Sequence, residues 1–106
     1  MRGIRVIAKK VGKMGIHDKS FISYINKLTK TAQNRKGFQS SSSYWENDCN
    51  SLTTFSISDW ESKDDWYNWL NSYDRKLINT EHKKFILSEE FSILIKSKKN
   101  DDTFLL

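Results

Sequence analysis

The sequence opens with a short stretch in which apolar and polar positions alternate. Over residues 4–11 the apolar side chains fall on two sides of an extended chain, Ile4, Val6 and Ala8 on one and Ile7 and Val11 on the other. A period of two is typical of a β-strand, and glycines at positions 12 and 15 border the stretch. We therefore expect a first strand with apolar side chains on both faces.

The following stretch changes to the three-and-four spacing of an amphipathic helix. Its predicted apolar face consists of Phe21, Ile22, Ile25, Leu28 and Ala32. The carboxylate of Asp18 can cap the first turn. Gly37 follows a basic stretch, and both a glycine in the left-handed conformation and basic charge favour the end of a helix. The pattern predicts a helix from about Asp18 that ends before Gly37.

Two further stretches indicate a β-hairpin. Residues 38–46 contain four consecutive serines, which compete for backbone hydrogen bonds, so we interpret them as a strand rather than a helix or a low-complexity linker. Residues 52–60 alternate, with Thr53, Phe55 and Ile57 on one side and Thr54, Ser56, Ser58 and Trp60 on the other. The polar residues 46–51, which include Cys49, predict the turn between these strands.

A second helix is predicted to begin after Ser62, with two aspartates in its first turn at the positive end of the helix dipole. Its apolar face is predicted to run through Trp66, Trp69, Leu70, Tyr73 and Leu77. The pattern breaks near residues 79–80 and resumes as a short turn at residues 85–86. Residues 90–97 alternate and predict a last strand, and a frayed tail is expected from residue 98.

The predicted element order, β-α-β-β-α-β, closes most simply as an α+β ferredoxin-like plait, a four-stranded antiparallel sheet with both helices on one face. The other face of the sheet would then lie bare. Because the first and last strands carry apolar residues on both faces, that bare face needs a partner, and a second copy of the same sheet supplies one. We expect a homodimer, a dimeric α/β barrel.

Composition narrows the class of protein. The chain has 106 residues and a formal net charge of +5, which suits one domain over residues 1–97 with a tail at 98–106. The basic excess lies at the two ends and is interpreted as solvated surface, and no nucleic-acid-binding motif occurs, so nucleic acid is not an expected partner. One cysteine, no signal peptide and no membrane-spanning stretch predict a cytoplasmic protein without a membrane partner.

One motif in the second half resembles a known family. The stretch from Trp60 to Arg75 reads W-E-S-K-D-D-W-Y-N-W-L-N-S-Y-D-R, and Gly37-Phe38 stands where the second strand begins. This is similar to the antibiotic biosynthesis monooxygenase superfamily, in which a Gly-Phe opens the second strand, an aromatic residue ends the third, and a W-x-x-S-x-x-R or W-x-x-S-x-x-H helix follows. The resemblance covers roughly residues 4–97.

The resemblance implies a ferredoxin-like protomer paired through its sheets, with a pocket between sheet and helices, but it does not fix a reaction. The family includes cofactor-independent oxygenases, quinol oxygenases and heme-degrading enzymes. The heme-degrading branch carries an Asn on the first strand and a His ten residues after its helical Trp. Trp69 matches that Trp, but Asn79 stands at the His position and the first strand has no Asn. No cofactor is therefore expected, and heme is not favoured.

The candidate substrate-binding residues are aromatic or polar and cluster around the motif: Tyr44, Trp60, Trp66, Asn68, Trp69, Ser72, Tyr73 and Arg75. Aromatic walls suit a pocket that excludes water, the Asn68 or Ser72 side chain can donate to an oxyanion, and Arg75 can hold a negatively charged group. The alternative for the tryptophans is core packing, and the alternative for Arg75 is an ion pair. No catalytic residue is assigned.

The remaining chemistry-bearing residues indicate no second site. His17 and His82 are both expected to be exposed, and they form no metal-ligand constellation. Two hypotheses for function follow. One is a cofactor-independent oxygenase of a small aromatic or otherwise apolar molecule. The other is a non-enzymatic homodimer of the same fold that binds a small ligand or a partner protein.

Overall fold

The computed structural model describes residues 3–13, 18–47 and 51–96. The elements in chain order are β1 (Ile4–Lys13), α1 (Asp18–Ala32), β2 (Phe38–Asn47), β3 (Ser51–Trp60), α2 (Lys63–Leu70), α3 (Tyr73–His82), a 3₁₀ turn (Lys83–Phe85) and β4 (Ile86–Ile95). The predictions for His17, Cys49 and the tail 98–106 lie outside the described residues.

The four strands form one antiparallel sheet in the order β2-β3-β1-β4. The first and third strands are neighbours at its centre, and β2 and β4 lie at its edges. With helical connections after β1 and β3, this order is that of the ferredoxin-like plait, so the predicted α+β fold class is confirmed. The predicted hairpin of β2 and β3 is also confirmed.

One face of the sheet packs against the helices and forms the core. Ile4 pairs with Trp60 and Ala8 pairs with Ser56. Because side chains alternate along a strand, the faces predicted for β1 and β3 lie on the same side of the sheet. The buried apolar residues of this core are Ile4, Val6, Phe21, Tyr24, Ile25, Leu28, Ala32, Leu52, Trp60, Trp66 and Trp69. The alternation predicted for β1 and β3 is therefore correct.

The buried face of α1 differs from its prediction at two positions. Ile22, predicted to be apolar core, is 41% exposed, whereas Tyr24 is fully buried. The Tyr24 hydroxyl donates a hydrogen bond of 2.6 Å to Asn79 Oδ1 on α3. A tyrosine can be buried when its hydroxyl has such a partner. Tyr24 was left out of the predicted apolar face because it carries a polar group.

The second helical region is two helices, and the prediction of one continuous helix is wrong. The chain leaves α2 at Asn71, and the Ser72 hydroxyl then caps α3 by accepting a hydrogen bond of 3.2 Å from the Arg75 backbone N–H. Because the extended backbone of Ser72 interrupts the helix, Tyr73 and Leu77 do not continue the apolar face of α2 and are exposed. The predicted break near residues 79–80 is absent, since α3 continues to His82.

The last strand begins at Ile86, four residues earlier than the sequence pattern predicts. Its register with β1 shifts between Val11 and Gly12, where Leu87 is left without a partner position. Gly12 lies under the Phe21 ring, and a Cβ atom there would come within 2.6 Å of it. This close approach lets β1 extend to Lys13 beneath α1.

The connection between α1 and β2 depends on Gly37. Its φ of +86° is the left-handed conformation predicted for a helix-terminating glycine. A Cβ atom there would also collide with the Asp65 side chain at the start of α2. The Gly37 carbonyl accepts a hydrogen bond of 2.8 Å from the Glu61 N–H, which ties this turn to the end of β3.

The face of the sheet away from the helices is open. Its centre is apolar, with Ile7, Val11, Phe55 and Ile57 only partly buried. Tyr44 and Leu94 lie toward its edges and are 58% and 48% exposed. None of the described helices has the length and apolar character to cross a membrane.

Candidate functional site

A cavity of about 70 Å³ lies between the sheet and the helices. Its floor is the helix-facing side of β1 and β3, and its walls come from all three helices and from the edge strands β2 and β4. The residues that line it are Val6, Ala8, Lys10, Ile25, Leu28, Thr29, Ala32, Phe38, Ser41, Ser56, Ser58, Trp60, Trp66, Trp69, Leu70, Arg75 and Phe91. Most of these side chains are apolar, and the charged ones stand together.

The apolar wall is built from aromatic rings that hold one another in place. Trp60 ends β3, packs edge-on against Phe38 at a centroid distance of 5.4 Å, and donates its indole N–H to Ser58 Oγ at 2.9 Å. Trp66 packs edge-on against Phe91 at the same distance. Edge-to-face contacts fix ring orientation as well as burying area, so the wall has a defined shape.

Arg75 lies at the polar end of the cavity and is buried. Its Nη2 atom donates to both carboxylate oxygens of Glu89 at 3.1 Å, and its guanidinium carbon lies 5.5 Å from the centroid of the Phe91 ring. The ion-pair alternative for Arg75 is therefore present in the structure. The same side chain also lines the cavity, so the two interpretations are compatible.

Lys10 is the second cation at this end, and the interpretation of the basic N-terminal stretch as solvated surface is wrong for it. Only 5% of Lys10 is exposed. Its ammonium lies 3.5 Å from Glu89 Oε2 and 5.5 Å from the centroid of the Phe91 ring. Burial lowers the pKa of Lys10 from its ordinary value, and the charge of Glu89 opposes that shift.

Two more buried polar groups stand beside these charges. Thr54 is the cross-strand partner of Lys10, is fully buried, and its hydroxyl has no hydrogen-bond partner among the described residues. The pKa of Tyr24 is raised, chiefly by burial and also by the charge of Glu89. Tyr24 reaches this region from α1, and its hydrogen bond to Asn79 joins α1 to α3.

The sequence interpretation did not select Lys10, Glu89 or Thr54. The signal for Lys10 and Thr54 was present in the alternation, because Ile4, Val6 and Ala8 continue to position 10 on the same face. Glu89 could not be found in this way, since the predicted last strand began only after it.

Four of the eight candidate residues line the cavity: Trp60, Trp66, Trp69 and Arg75. The three tryptophans are also part of the buried hydrophobic core. The same rings therefore serve both as core packing and as the wall of the cavity. The structure brings the aromatic and cationic parts of the motif together at one place. Whether these residues bind a substrate stays a prediction.

The other four candidates lie elsewhere. Tyr44 projects from the open face of the sheet, because it pairs with Phe55 on that side. Asn68 is exposed and borders a surface depression near Asp65. Ser72 uses its hydroxyl as the cap of α3. Tyr73 is 75% exposed because the helix break turns it outward.

The residues around the cavity do not fit a heme group. The wall has no histidine, cysteine, methionine or tyrosine among the described residues to serve as an axial ligand. His82 was predicted to be exposed but is buried, with its ring tilted by 34° against the Tyr24 ring and its Nδ1 atom 2.9 Å from the Ile78 carbonyl oxygen. Within the described part of the chain, no cluster of potential metal ligands occurs either.

The sequence matches no protein-family model, and no curated protein matches it significantly. Solved structures are similar over almost the whole chain. SnoaB from Streptomyces nogalater, a cofactor-independent oxygenase, has 15% identity and a TM-score of 0.73, covering 93% of this chain and 97% of its own. A conserved protein from Methanosarcina mazei Go1 has 20% identity and a TM-score of 0.73, with 92% and 95% covered.

A third similar structure is a putative antibiotic biosynthesis monooxygenase from Chloroflexus aurantiacus. It has 11% identity and a TM-score of 0.67, with 90% of this chain and 94% of that protein covered. At these identities the likeness establishes the fold. The chain thus has the ferredoxin-like fold of the antibiotic biosynthesis monooxygenase proteins, as its tryptophan motif predicts.

Proposed function

We propose that the protein is a cofactor-independent oxygenase that acts on a small aromatic molecule bound in the cavity between the sheet and the helices. The observation that carries this proposal is the meeting of an aromatic wall with buried N–H donors in one cavity. Trp60, Trp66 and Phe91 supply flat apolar contacts, and Lys10 and Arg75 supply the donors. The fold shared with a cofactor-independent oxygenase supports the same reaction class.

The reaction class needs little from the protein because an electron-rich substrate is its own reductant. A hydroquinone that has lost a proton reduces dioxygen, one oxygen atom replaces a ring hydrogen, and the other leaves as water. The products are a hydroxyquinone and water, which balances four electrons given by the ring against four accepted by dioxygen. The cavity would exclude bulk water, and its N–H donors would stabilise the substrate anion.

Oxygen uptake with naphthohydroquinone as the probe tests this proposal. We expect the protein to raise the rate above spontaneous oxidation, to form hydroxynaphthoquinone, and to place one atom of isotopically labelled dioxygen in the product. Trp66→Leu should lower the rate at least tenfold, because it opens the aromatic wall. Leu77→Ala, an apolar truncation at an exposed position of α3 outside the cavity wall, is the control and should leave the rate unchanged.

The second candidate function is a ligand-binding protein without catalysis. The absence of a histidine in the cavity wall, among the described residues, favours it, because histidine is the side chain that most often acts as an acid or base near neutral pH. Binding of naphthohydroquinone without faster oxygen uptake would support this candidate. Formation of unhydroxylated naphthoquinone and hydrogen peroxide, at the rate of spontaneous oxidation, would count against the oxygenase.

We also propose that the open face of the sheet pairs with a second copy of the chain. Ile7, Phe55 and Ile57 form its partly exposed apolar centre, while the ion pair of Arg5 and Asp59 lies at one end. An apolar centre with a charged margin is typical of a protein interface.

Light scattering after size exclusion should give twice the 12.5 kDa chain mass. Ile57→Glu should reduce the mass to that of a single chain, whereas Tyr67→Glu, on the helical side, should not. A single-chain mass for the unmodified protein would contradict the pairing.

A further inference from the structure

The polar end of the cavity contains more positive than negative charge. Among the described residues, Lys10 and Arg75 share one carboxylate, that of Glu89, and the three side chains form one cluster. Both oxygens of Glu89 accept from Arg75 at 3.1 Å. The cluster therefore keeps a formal charge of one positive unit in a place that bulk water reaches poorly.

Lys10 has the largest unused capacity to bind an anion. An ammonium group has three N–H donors, and its carboxylate contact at 3.5 Å is longer than the 2.7–2.9 Å of a strong charge-assisted hydrogen bond. Its side chain is only 6% exposed. Since Lys10 lines the cavity, a ligand inside can reach this ammonium without any movement of the sheet.

The adjacent strand β3 adds a buried hydroxyl to the surroundings of the Lys10 backbone. Thr54 stands directly opposite Lys10 in the β1–β3 register and on the same face. Its hydroxyl is completely buried and lacks a hydrogen-bond partner within the described residues. Thr54 is not among the residues that line the cavity, so we assign the anion to Lys10 and Arg75, which do line it.

Building on the proposed function, we propose that the cavity selects aromatic molecules with one negative charge and binds their anionic head group at Lys10, with Arg75 beside it. The head group is a carboxylate or an ionised phenol, and the ring lies against Trp66 and Phe91. Such a ligand would neutralise the excess charge of the cluster. A neutral ring of the same shape gains only the apolar contacts, and a cationic one is repelled.

Titrations followed by the indole N–H signals of the tryptophans test this selectivity without any turnover. The probes share one ring and differ in charge: benzoate, benzyl alcohol and benzylammonium, at slightly acidic pH and without added reductant. We expect benzoate to bind at least tenfold more tightly than benzyl alcohol, and benzylammonium to bind most weakly. Pentafluorophenolate, compared with benzoate, identifies which anionic head group the site prefers.

Three variants assign the effect to the cluster. Lys10→Met should weaken benzoate binding at least tenfold while benzyl alcohol binding is retained, which also shows that the cavity is folded. Lys76→Met, at an exposed position of α3 away from the sheet, is the control and should change neither. Glu89→Gln removes the competing carboxylate, so it should tighten benzoate binding, an effect opposite to that of structural damage.

Equal affinity for benzoate and benzyl alcohol would overturn the inference, and so would a Lys10→Met variant that binds benzoate as well as the unmodified protein. These outcomes are independent of the oxygenase test. Charge selectivity without oxygen uptake would refute the oxygenase and keep the anion site. Faster oxygen uptake without charge selectivity would do the reverse.

Discussion

The two faces of β1 carry ion pairs in contrasting environments. On the open face, Arg5 pairs with Asp59 through two hydrogen bonds of 2.8 and 3.1 Å, and half of the Arg5 side chain is exposed. On the helix-covered face, Lys10 meets Glu89 and Arg75 inside the cavity. The same strand therefore presents one pair whose cation is half solvated and one cluster whose two cations are enclosed.

The pKa shifts show what this difference means. The hydrogen bond and charge of Asp59 raise the pKa of Arg5, and Arg5 in turn lowers the pKa of Asp59, so each partner stabilises the other's charge. The pKa of Lys10 is instead lowered, because loss of hydration outweighs the attraction of Glu89. The charged form of Lys10 is therefore disfavoured. An ion pair at the surface is satisfied by its partner and water, whereas the enclosed cluster is not.

The largest expected effect concerns the apolar parts of the two faces. Trp60→Ala should lower the free energy of unfolding by about 4 kcal/mol, since Trp60 is almost completely buried in the core. Phe55→Ala on the open face should cost only about 1 kcal/mol in the isolated chain, because its side chain is partly exposed. Chemical denaturation of both variants measures the contrast. Similar losses at low protein concentration would contradict it.

The second effect concerns the two carboxylates. Glu89→Ala should lower the free energy of unfolding by about 2 kcal/mol, less than for a fully buried pair because a quarter of the Glu89 side chain is exposed. Asp59→Ala should cost much less, since water can solvate the Arg5 that it leaves. Thermal and urea unfolding at neutral pH compare the two. The contrast fails if Asp59→Ala is the more damaging change.

The smallest effect is a pH dependence of stability. Because the pKa of Lys10 is lowered in the folded protein, the unfolded chain binds more protons, and Lys10 costs less stability as pH rises toward its ordinary pKa of 10.5. The stability of the unmodified protein relative to Lys10→Met should therefore increase from neutral pH to about 9.5. Glu89, Arg75 and Tyr24 face this cluster and are unchanged in both proteins.

Urea unfolding at several pH values measures that difference, and Lys76→Met serves as the control because Lys76 is exposed on α3. The control should show no comparable trend. A Lys10 difference that is constant, or that falls as pH rises, would show that burial does not disfavour the charged form of this lysine.

The sequence pattern predicted the strands, their faces and the ferredoxin-like order. It did so because alternation and helical spacing indicate which side of each element packs against the core between the sheet and the helices. It failed where a polar residue is buried. Lys10 continues an apolar row but was assigned to the surface by its charge, and Tyr24 was passed over for Ile22. Burial of such residues depends on partners distant in the sequence, Glu89 and Asn79, which periodicity cannot identify.

The candidate site was predictable only in part for the same reason. The motif placed three tryptophans and Arg75 near one another, and the structure puts all four around the cavity. Spacing could not show that Ser72 restarts the helix, because a serine in that position suits either a helix interior facing solvent or a cap. Tyr73 was consequently assigned to the wrong side.

The break at Asn71 and Ser72 has a geometric consequence for the cavity. In an unbroken α-helix, positions 69 and 75 would point about 120° apart around the axis, because each residue turns the helix by about 100°. Two shorter helices separated by the extended backbone of Ser72 escape that constraint, so an indole and a guanidinium six positions apart can border the same small space. The Ser72 cap thus lets the apolar side chain of Trp69 and the charged side chain of Arg75 point into the same cavity although they are six residues apart.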